Sequence, residues 1–276
     1  MAKKVFVIDI AKCNGCHSCQ IVCKDEHVAN DWTPIAKPQP EVGQFWIELT
    51  ERVRGTVPKV KVAYRPHLCM HCDKAPCMTS CTVPGALYQR DDGLVIIDPV
   101  KCTGCKSCVD ACPYDAIFFN DGLNIAQKCT GCAHLLDQGW TEPRCADACP
   151  TLAIKLMDED EARAQGLLEG AEVWKPERRD ELQPRVYYLS LPKKFIAGTL
   201  YDPVEEEVVI GATAMLTAAA GGEALAGETD AYGDFWFEGL EDGVYDLELK
   251  HGDQVVSFAG LDTAERDINL GDIPLS

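Results

Sequence analysis

Sixteen cysteines have the type and spacing to do chemistry, and they fall into four groups of four. Cys13, Cys16, Cys19 and Cys23 (CNGCHSCQIVC) and Cys102, Cys105, Cys108 and Cys112 (CTGCKSCVDAC) share the spacing C-x2-C-x2-C-x3-C. Cys69, Cys72, Cys77 and Cys81 (CMHCDKAPCMTSC) widen the middle gap to four residues, and Cys129, Cys132, Cys145 and Cys149 widen it to twelve. In C-x2-C-x2-C the turning backbone wraps one corner of an iron-sulfur cubane, so three thiolates reach three irons. The cysteine after x3 sits on the following helix and points toward a second cluster. One group therefore supplies three ligands and its duplicate the fourth. Zinc is the main rival, because four-cysteine zinc sites take two separated pairs. The fourth group alone would fit that, but three cysteines in seven residues followed by one facing away would not. Disulfides suit an oxidising compartment, and sixteen thiols are more economically explained by metal.

The elements that must position these groups are visible as a repeat. Cys81 leads through TVPGALYQRDDGLVIIDPVKC to Cys102, and Cys112 through PYDAIFFNDGLNIAQKC to Cys129. Each segment reads as a small-residue turn, a short strand, an Asp-Gly hairpin signal (Asp92-Gly93, Asp121-Gly122), a second strand and Lys-Cys. VFVIDIAKC and PTLAIKL echo the same unit at its two outer ends. The C-x2-C-x2-C-x3-C run is the pattern of bacterial two-cluster ferredoxins, although Cys23 and Cys81 are followed by Lys24 and Thr82 in place of proline.

No cysteine follows Cys149, and charge changes near the same place. Lys+Arg against Asp+Glu stands at 16 to 17 over residues 1–150 and 10 to 27 over 151–276, so nearly all of the net −18 lies in the second part. That acidity argues against nucleic acid and anionic membrane as partners. A signal peptide, a twin-Arg pair and a run of about eighteen apolar residues are all missing, which predicts a cytoplasmic chain without membrane insertion; export with a signal-bearing partner stays open. Residues 155–194 read as a linker that drapes over a surface, with a helix from Asp158 to Leu168. Beyond it come short alternating runs such as VYDLELK, where Tyr245, Leu247 and Leu249 share one face, the mark of a half-buried strand. GATAML…ETDAYGDFWFEGLEDGVYDLEL resembles the transthyretin-like and Cna-B types of immunoglobulin-like domain. The expected fold is α+β: a duplicated two-cluster ferredoxin-like domain over 1–154, the linker over 155–194, and an all-β immunoglobulin/transthyretin-like sandwich of about seven strands over 195–276. Phe235, Trp236 and Phe237 are expected as core and sheet-surface aromatics.

CNGCHSCQIVCKDEH, CMHCDKAPCMTSC, CTGCKSCVDACPYDAI and KCTGCAHLLDQGWTEPRCADACPTLAI together resemble the four-cluster iron-sulfur subunits of the molybdopterin, dimethyl-sulfoxide-reductase-like oxidoreductases. The resemblance implies four [4Fe-4S] clusters. Cys13, Cys16, Cys19 and Cys149 would hold one, and Cys23, Cys129, Cys132 and Cys145 its neighbour. Cys69, Cys72, Cys77 and Cys112 would hold a third, and Cys81, Cys102, Cys105 and Cys108 a fourth. It also implies a large partner subunit carrying a molybdenum bis-pterin guanine dinucleotide, in a heterodimer or higher assembly, with the pair built from groups one and four nearer that partner. PRVYYLSLPKKFIAGTL followed by a sandwich is similar to the small subunits of the pyrogallol-phloroglucinol transhydroxylases and their resorcinol-type hydroxylase relatives.

No nucleophile elbow, Walker loop or dinucleotide fingerprint occurs, so the chain is expected to catalyse nothing alone. His17, His71 and His134 lie inside cysteine loops and suit roles around a cluster rather than as ligands; His27, His67 and His251 show no partner at motif spacing. Four clusters add about −8 of charge, and Lys12, Lys101 and Lys128, each directly before a cysteine, either offset it or are ordinary solvated surface. Trp140 and Arg144 are candidates for partner contact. Three functions follow: electron transfer to a molybdenum enzyme acting on polyhydroxybenzenes, with an external electron carrier; electron transfer in a respiratory reductase or dehydrogenase; or a scaffold in which clusters serve as folding staples.

Overall fold

A computed structural model describes residues 2–275. It divides into two compact units, one formed by residues 2–51 with Ala63–Leu191, the other by Arg52–Val62 with the chain from Pro192 onward.

In the first unit, both parities of KVFVID are apolar, the pattern of a strand covered on two faces. This strand, Lys4–Asp9, is the middle of a three-stranded sheet, with Ile154–Asp158 antiparallel on one side and Val186–Leu189 parallel on the other. Phe6 and Ile8 point into the core that holds most of the cysteines. Val5 and Val7 face the other way and pack with Ala162, Val173 and Tyr187. The segment 155–194 thus differs from the draping linker read in the sequence: it supplies strands on both sides of the central one, and the helix Glu159–Ala164 between them contributes Ala162 to the second face. That helix is shorter than Asp158–Leu168 because Gly166 leaves the helical region at φ +68°.

The two repeat hairpins form as expected, Leu87–Gln89 with Val95–Ile97 and Phe118–Asn120 with Ile125–Gln127. Their connections are longer than a two-residue Asp-Gly turn. Gln89 pairs with Val95 and Asn120 with Ile125, and the left-handed positions fall at Gly93 and Asn124. The substitution of Lys24 for proline has a direct effect: the helix Ser18–Val28 runs on past Cys23, whereas Ser107–Ala111 stops before Cys112-Pro113, as the residue before a proline should.

The second unit carries two four-stranded sheets. In one, Lys194–Asp202 pairs with Glu207–Val208, Asp234–Leu240 and Ile268–Pro274; the other runs Leu225–Glu228, Thr213–Ala218, Val244–His251, Gln254–Asp262. VYDLELK alternates as read, with Tyr245, Leu247 and Leu249 buried. Leu247 lies opposite Leu216, and Leu249 opposite Ala214. Phe235 and Phe237 are in the core, while Trp236 lies outside it beneath the Lys61 ammonium, 4.5 Å from the ring centre. The hairpin of Ile47–Thr56 and Lys59–Leu68 contributes its tip to this unit, where Arg54 donates to Asp267 at 3.1 Å and Lys59 pairs with Asp234. No helix among the described residues is long and apolar enough to cross a membrane.

Candidate metal centres

Each cysteine loop turns through the same backbone state. The residue before the second cysteine of every group is left-handed: Gly15 at φ +73°, His71 at +44°, Gly104 at +74° and Gly131 at +63°. Glycine suits three of these positions twice over. It has no penalty for positive φ, and an added Cβ would lie 2.6 Å from the Tyr64 ring at Gly15, 2.5 Å from the Asn124 carbonyl oxygen at Gly104 and 2.8 Å from Leu94 at Gly131. In groups one and three a second left-handed residue, His17 or Lys106, follows the second cysteine and starts the helix. The turn aims backbone N–H groups at sulfur: His71 N–H donates to Cys69 Sγ at 3.5 Å and Gly131 N–H to Cys129 Sγ at 3.4 Å. Past the fourth group, Ala153 N–H reaches Cys149 Sγ at 3.3 Å.

These turns bring the thiols together in fours. Cys13, Cys16, Cys19 and Cys149 line one cavity with Leu49, Pro66 and Ile154. Cys23, Cys129, Cys132 and Cys145 line another with His27, Trp46 and Ile47; these are the first and second gatherings. Around Cys72, the thiols of Cys69, Cys77 and Cys112 are its near neighbours and make the third. Cys81, Cys102, Cys105 and Cys108 line a cavity with Val83, Leu87 and Ile97, the fourth. The numbering follows adjacency. Cys19 of the first acts on Cys23 and Cys145 of the second. Cys69 of the third acts on Cys129 of the second, and Cys108 of the fourth on Cys77 of the third.

Burial, reinforced by neighbouring sulfurs, holds most of these thiols protonated. It pushes Cys19 up to about 12, with Cys13 adding to the shift, and Cys77 and Cys132 also up to about 12. Cys23 and Cys145 are likewise raised well above the usual thiol range by burial, with neighbouring sulfurs adding to the shift. Cys105 is the opposite case, lowered by the Ser107 backbone and hydroxyl, and at Cys149 burial is outweighed by hydrogen bonds led by Thr151. Thiolate is the ligand iron needs, so loading such sites releases protons, and the metal–sulfur bonds must offset the cost of ionising buried thiols.

The donor sets fit a cubane better than a single ion. Tetrahedral zinc, with Zn–S of about 2.3 Å, gathers thiolates to roughly 3.8 Å from one another. Among the described residues, no three His, Cys, Asp or Glu side chains converge in that way. Four sulfurs spread around an otherwise apolar space, with N–H groups aimed at them, suit a cube that presents a separate iron to each.

The single candidates separate clearly. His71 is buried and its Nδ1 accepts from Val95 N–H at 2.9 Å, with burial and then Lys128 holding it neutral. His134 Nε2 meets Glu26 Oε1 at 3.0 Å while its ring stacks on Trp32. His17 contacts Gln20 at the surface. His27 lacks a sequence partner, yet it lines the second cavity, packed on Trp46 with its ring centre 4.5 Å away, and burial lowers it to about 3. Its signal is helical spacing, four residues after Cys23 and so on the same helix face. Trp140 is 43% exposed. Arg144, expected beside it at a partner surface, is engaged within the chain by Glu26 at 3.3 Å and Asp147 at 2.9 Å.

Comparison with known proteins agrees with this chemistry. Residues 60–159 match the family model of the 4Fe-4S dicluster domain, and residues 10–28 that of a 4Fe-4S binding domain. The chain is 41% identical to the pyrogallol hydroxytransferase small subunit of Pelobacter acidigallici, over 90% of this chain and 91% of that one. It is 36% identical to a tetrathionate reductase subunit of Salmonella typhimurium, covering 69% and 74% of the two chains. With the arsenate respiratory reductase iron-sulfur subunit of a Shewanella species it shares 30% identity, covering 67% and 94%. The alignment to the pyrogallol protein is too long to stop within the cysteine unit. These likenesses, over sites built of thiols alone, establish that the chain belongs to the iron-sulfur electron-transfer subunits of the molybdenum oxidoreductases.

Proposed function

We propose that the chain holds four [4Fe-4S] clusters and relays single electrons between a large molybdopterin subunit and an external electron carrier. Cys13, Cys16, Cys19 and Cys149 bind the first cluster, and Cys23, Cys129, Cys132 and Cys145 the second. Cys69, Cys72, Cys77 and Cys112 bind the third, and Cys81, Cys102, Cys105 and Cys108 the fourth. The clusters supply one-electron redox chemistry; the protein sets spacing, burial and charge. One observation carries this reading: the gatherings stand in succession, with Cys19 of the first beside Cys23 of the second, Cys129 of the second beside Cys69 of the third, and Cys77 of the third beside Cys108 of the fourth. A linear relay needs that succession, and its two ends are where exposed cysteines occur, Cys16 and Cys105.

The second unit, two sheets over one apolar core, is read as an immunoglobulin/transthyretin-like sandwich that spaces or docks the assembly. Sixteen unpaired thiols suit a reducing cytoplasm.

The reaction served is hydroxylation, dehydroxylation or hydroxyl transfer on polyhydroxybenzenes. Support comes from the 41% identity to the pyrogallol protein, which extends beyond the cysteine unit. Hydroxyl transfer between two phenols is redox-neutral and needs no long relay, so four retained gatherings favour net hydroxylation or dehydroxylation. Phenol turnover by the two-subunit enzyme, measured with and without an artificial electron acceptor, tests this: acceptor-dependent hydroxylation is expected, and strictly acceptor-independent transfer overturns it. The similarity to the tetrathionate and arsenate relatives favours a second reading, a respiratory reductase subunit, which turnover of an inorganic oxyanion in place of a phenol would select.

A further inference from the structure

Lys12, Lys101 and Lys128 stand at the same place in the repeat, directly before the first cysteine of a group. Two of them close on a carboxylate three residues back. Lys12 Nζ lies 3.3 Å from Asp9 and Lys101 Nζ 3.2 Å from Asp98, and both side chains are more than half exposed, at 54% and 55%. These two are ordinary surface ion pairs, worth little. The third copy reads Ile125-Ala-Gln-Lys128-Cys129, with isoleucine where the others have aspartate. Its lysine turns inward.

Lys128 is 2% exposed, and its ammonium donates to the carbonyl oxygens of Val95 and of Cys129, the latter at 3.0 Å. Two carbonyls can satisfy hydrogen bonds but carry no net charge, and a buried cation without an anion is destabilising by several kcal/mol in general. Besides the buried, neutral His71, the groups its field reaches are sulfurs: Cys77 and Cys112 of the third gathering and Cys129 of the second. The neighbouring cation, Arg185, is already neutralised by Asp73 at 2.6 Å and Glu159 at 2.9 Å. Among the described residues no carboxylate pairs with Lys128, and its position between two thiol gatherings says where an anion belongs.

We propose that Lys128 is the shared counter-ion of the clusters held by the second and third gatherings, and that its charge raises their reduction potentials relative to those at the two ends of the relay. This rests on the four-cluster reading above. A cubane with four thiolates carries about −2 when oxidised and about −3 when reduced. The Coulomb attraction of a fixed positive charge therefore grows on reduction. Burial keeps salt from screening it. Reduction moves one electron from the donor to the cluster, with no bond broken and no proton transferred. Lys12 and Lys101, solvated and paired, have no comparable effect. The consequence is a relay whose buried middle accepts electrons more readily than it would with the lysine missing.

The test is a dithionite titration of the iron-loaded full-length chain followed by electron paramagnetic resonance, comparing the unmutated protein with Lys128→Met, Lys128→Arg, Lys12→Met and Lys101→Met. Iron content and the number of reducible clusters in the unmutated protein test the four-cluster reading separately. In Lys128→Met the potentials of one or two clusters are expected to fall by tenfold or more in the reduction equilibrium, which is about 59 mV for one electron. The other clusters, the two control variants and Lys128→Arg keep their values. Potentials that are unchanged, or lowered uniformly, in fully loaded Lys128→Met overturn the proposal. Where Lys128→Met loses iron, Lys128→Arg decides: full iron with unmutated potentials supports a role for the charge, and loss of iron in the arginine variant as well overturns it in favour of packing.

Discussion

In the second unit, Leu216 faces Leu247 and Ala214 faces Leu249 across strands of six to eight residues, and fourteen buried apolar side chains form one core. In the first, the repeat hairpins have strands of three residues, and eight of the buried core members are cysteines. Alternating strands bury enough hydrocarbon to be stable on their own account. Three-residue strands do not, and core positions given to cysteine pack only as small side chains until a metal links them. The first unit therefore depends on its ligands for folding, and the second on its leucines and phenylalanines.

Removing iron is the largest way to break this comparison. Chelation under reducing conditions is expected to abolish amide-exchange protection in residues 2–51 and 63–191 while 192–275 keeps its own. Loss of protection throughout both, in one step, would show that the units are not independent. Cys145→Ser comes next: it places a poorer ligand at a fully buried position, and about four irons should be lost on analysis, with the second unit's melting unchanged. Leu247→Ala attacks the other side of the contrast. It should destabilise the second unit by about 2–5 kcal/mol in denaturant titration without altering iron content.

Gly104→Ala tests the turn. The backbone there sits at φ +74° and the new methyl would meet the Asn124 carbonyl, so about 1–3 kcal/mol of stability should go, accompanied by easier loss of the cluster proposed for Cys102, Cys105 and Cys108. The smallest effect is Asp137→Asn. A bidentate bond from Arg90 holds the Asp137 carboxyl below its usual range, so its contribution is present above about pH 4 and fades as pH falls through the depressed value. Because Asp137 is half exposed, the change should stay within about 1 kcal/mol at neutral pH, and the variant's stability should vary less with pH on the acid side.

How far the chain is legible depends on whether a residue's role is local. The cysteine turns, the hairpins after Cys81 and Cys112 and the inward face of VYDLELK are all readable because spacing, Asp-Gly signals and alternation are short-range patterns. The place of Arg144 is not, because its partner Glu26 lies far away in sequence. The strand Val186–Leu189 is hidden in a segment punctuated by Pro184 and Pro192, and only the exposed sheet edge of Lys4–Asp9 gives it a place. The hairpin Ile47–Thr56 with Lys59–Leu68 is equally obscure, since its charged, alternating strands resemble surface loop. Lys128 is the sharpest case. Its sequence setting matches Lys12 and Lys101 except for one aspartate replaced by Ile125, and that single difference separates a surface ion pair from a buried charge.

The central claim is that sixteen cysteines hold four cubanes in a row. Iron and acid-labile sulfide, measured per chain on anaerobically purified protein together with zinc, test it most directly. The account predicts about sixteen of each and no stoichiometric zinc. About half that iron, or one zinc for each four cysteines, would contradict it.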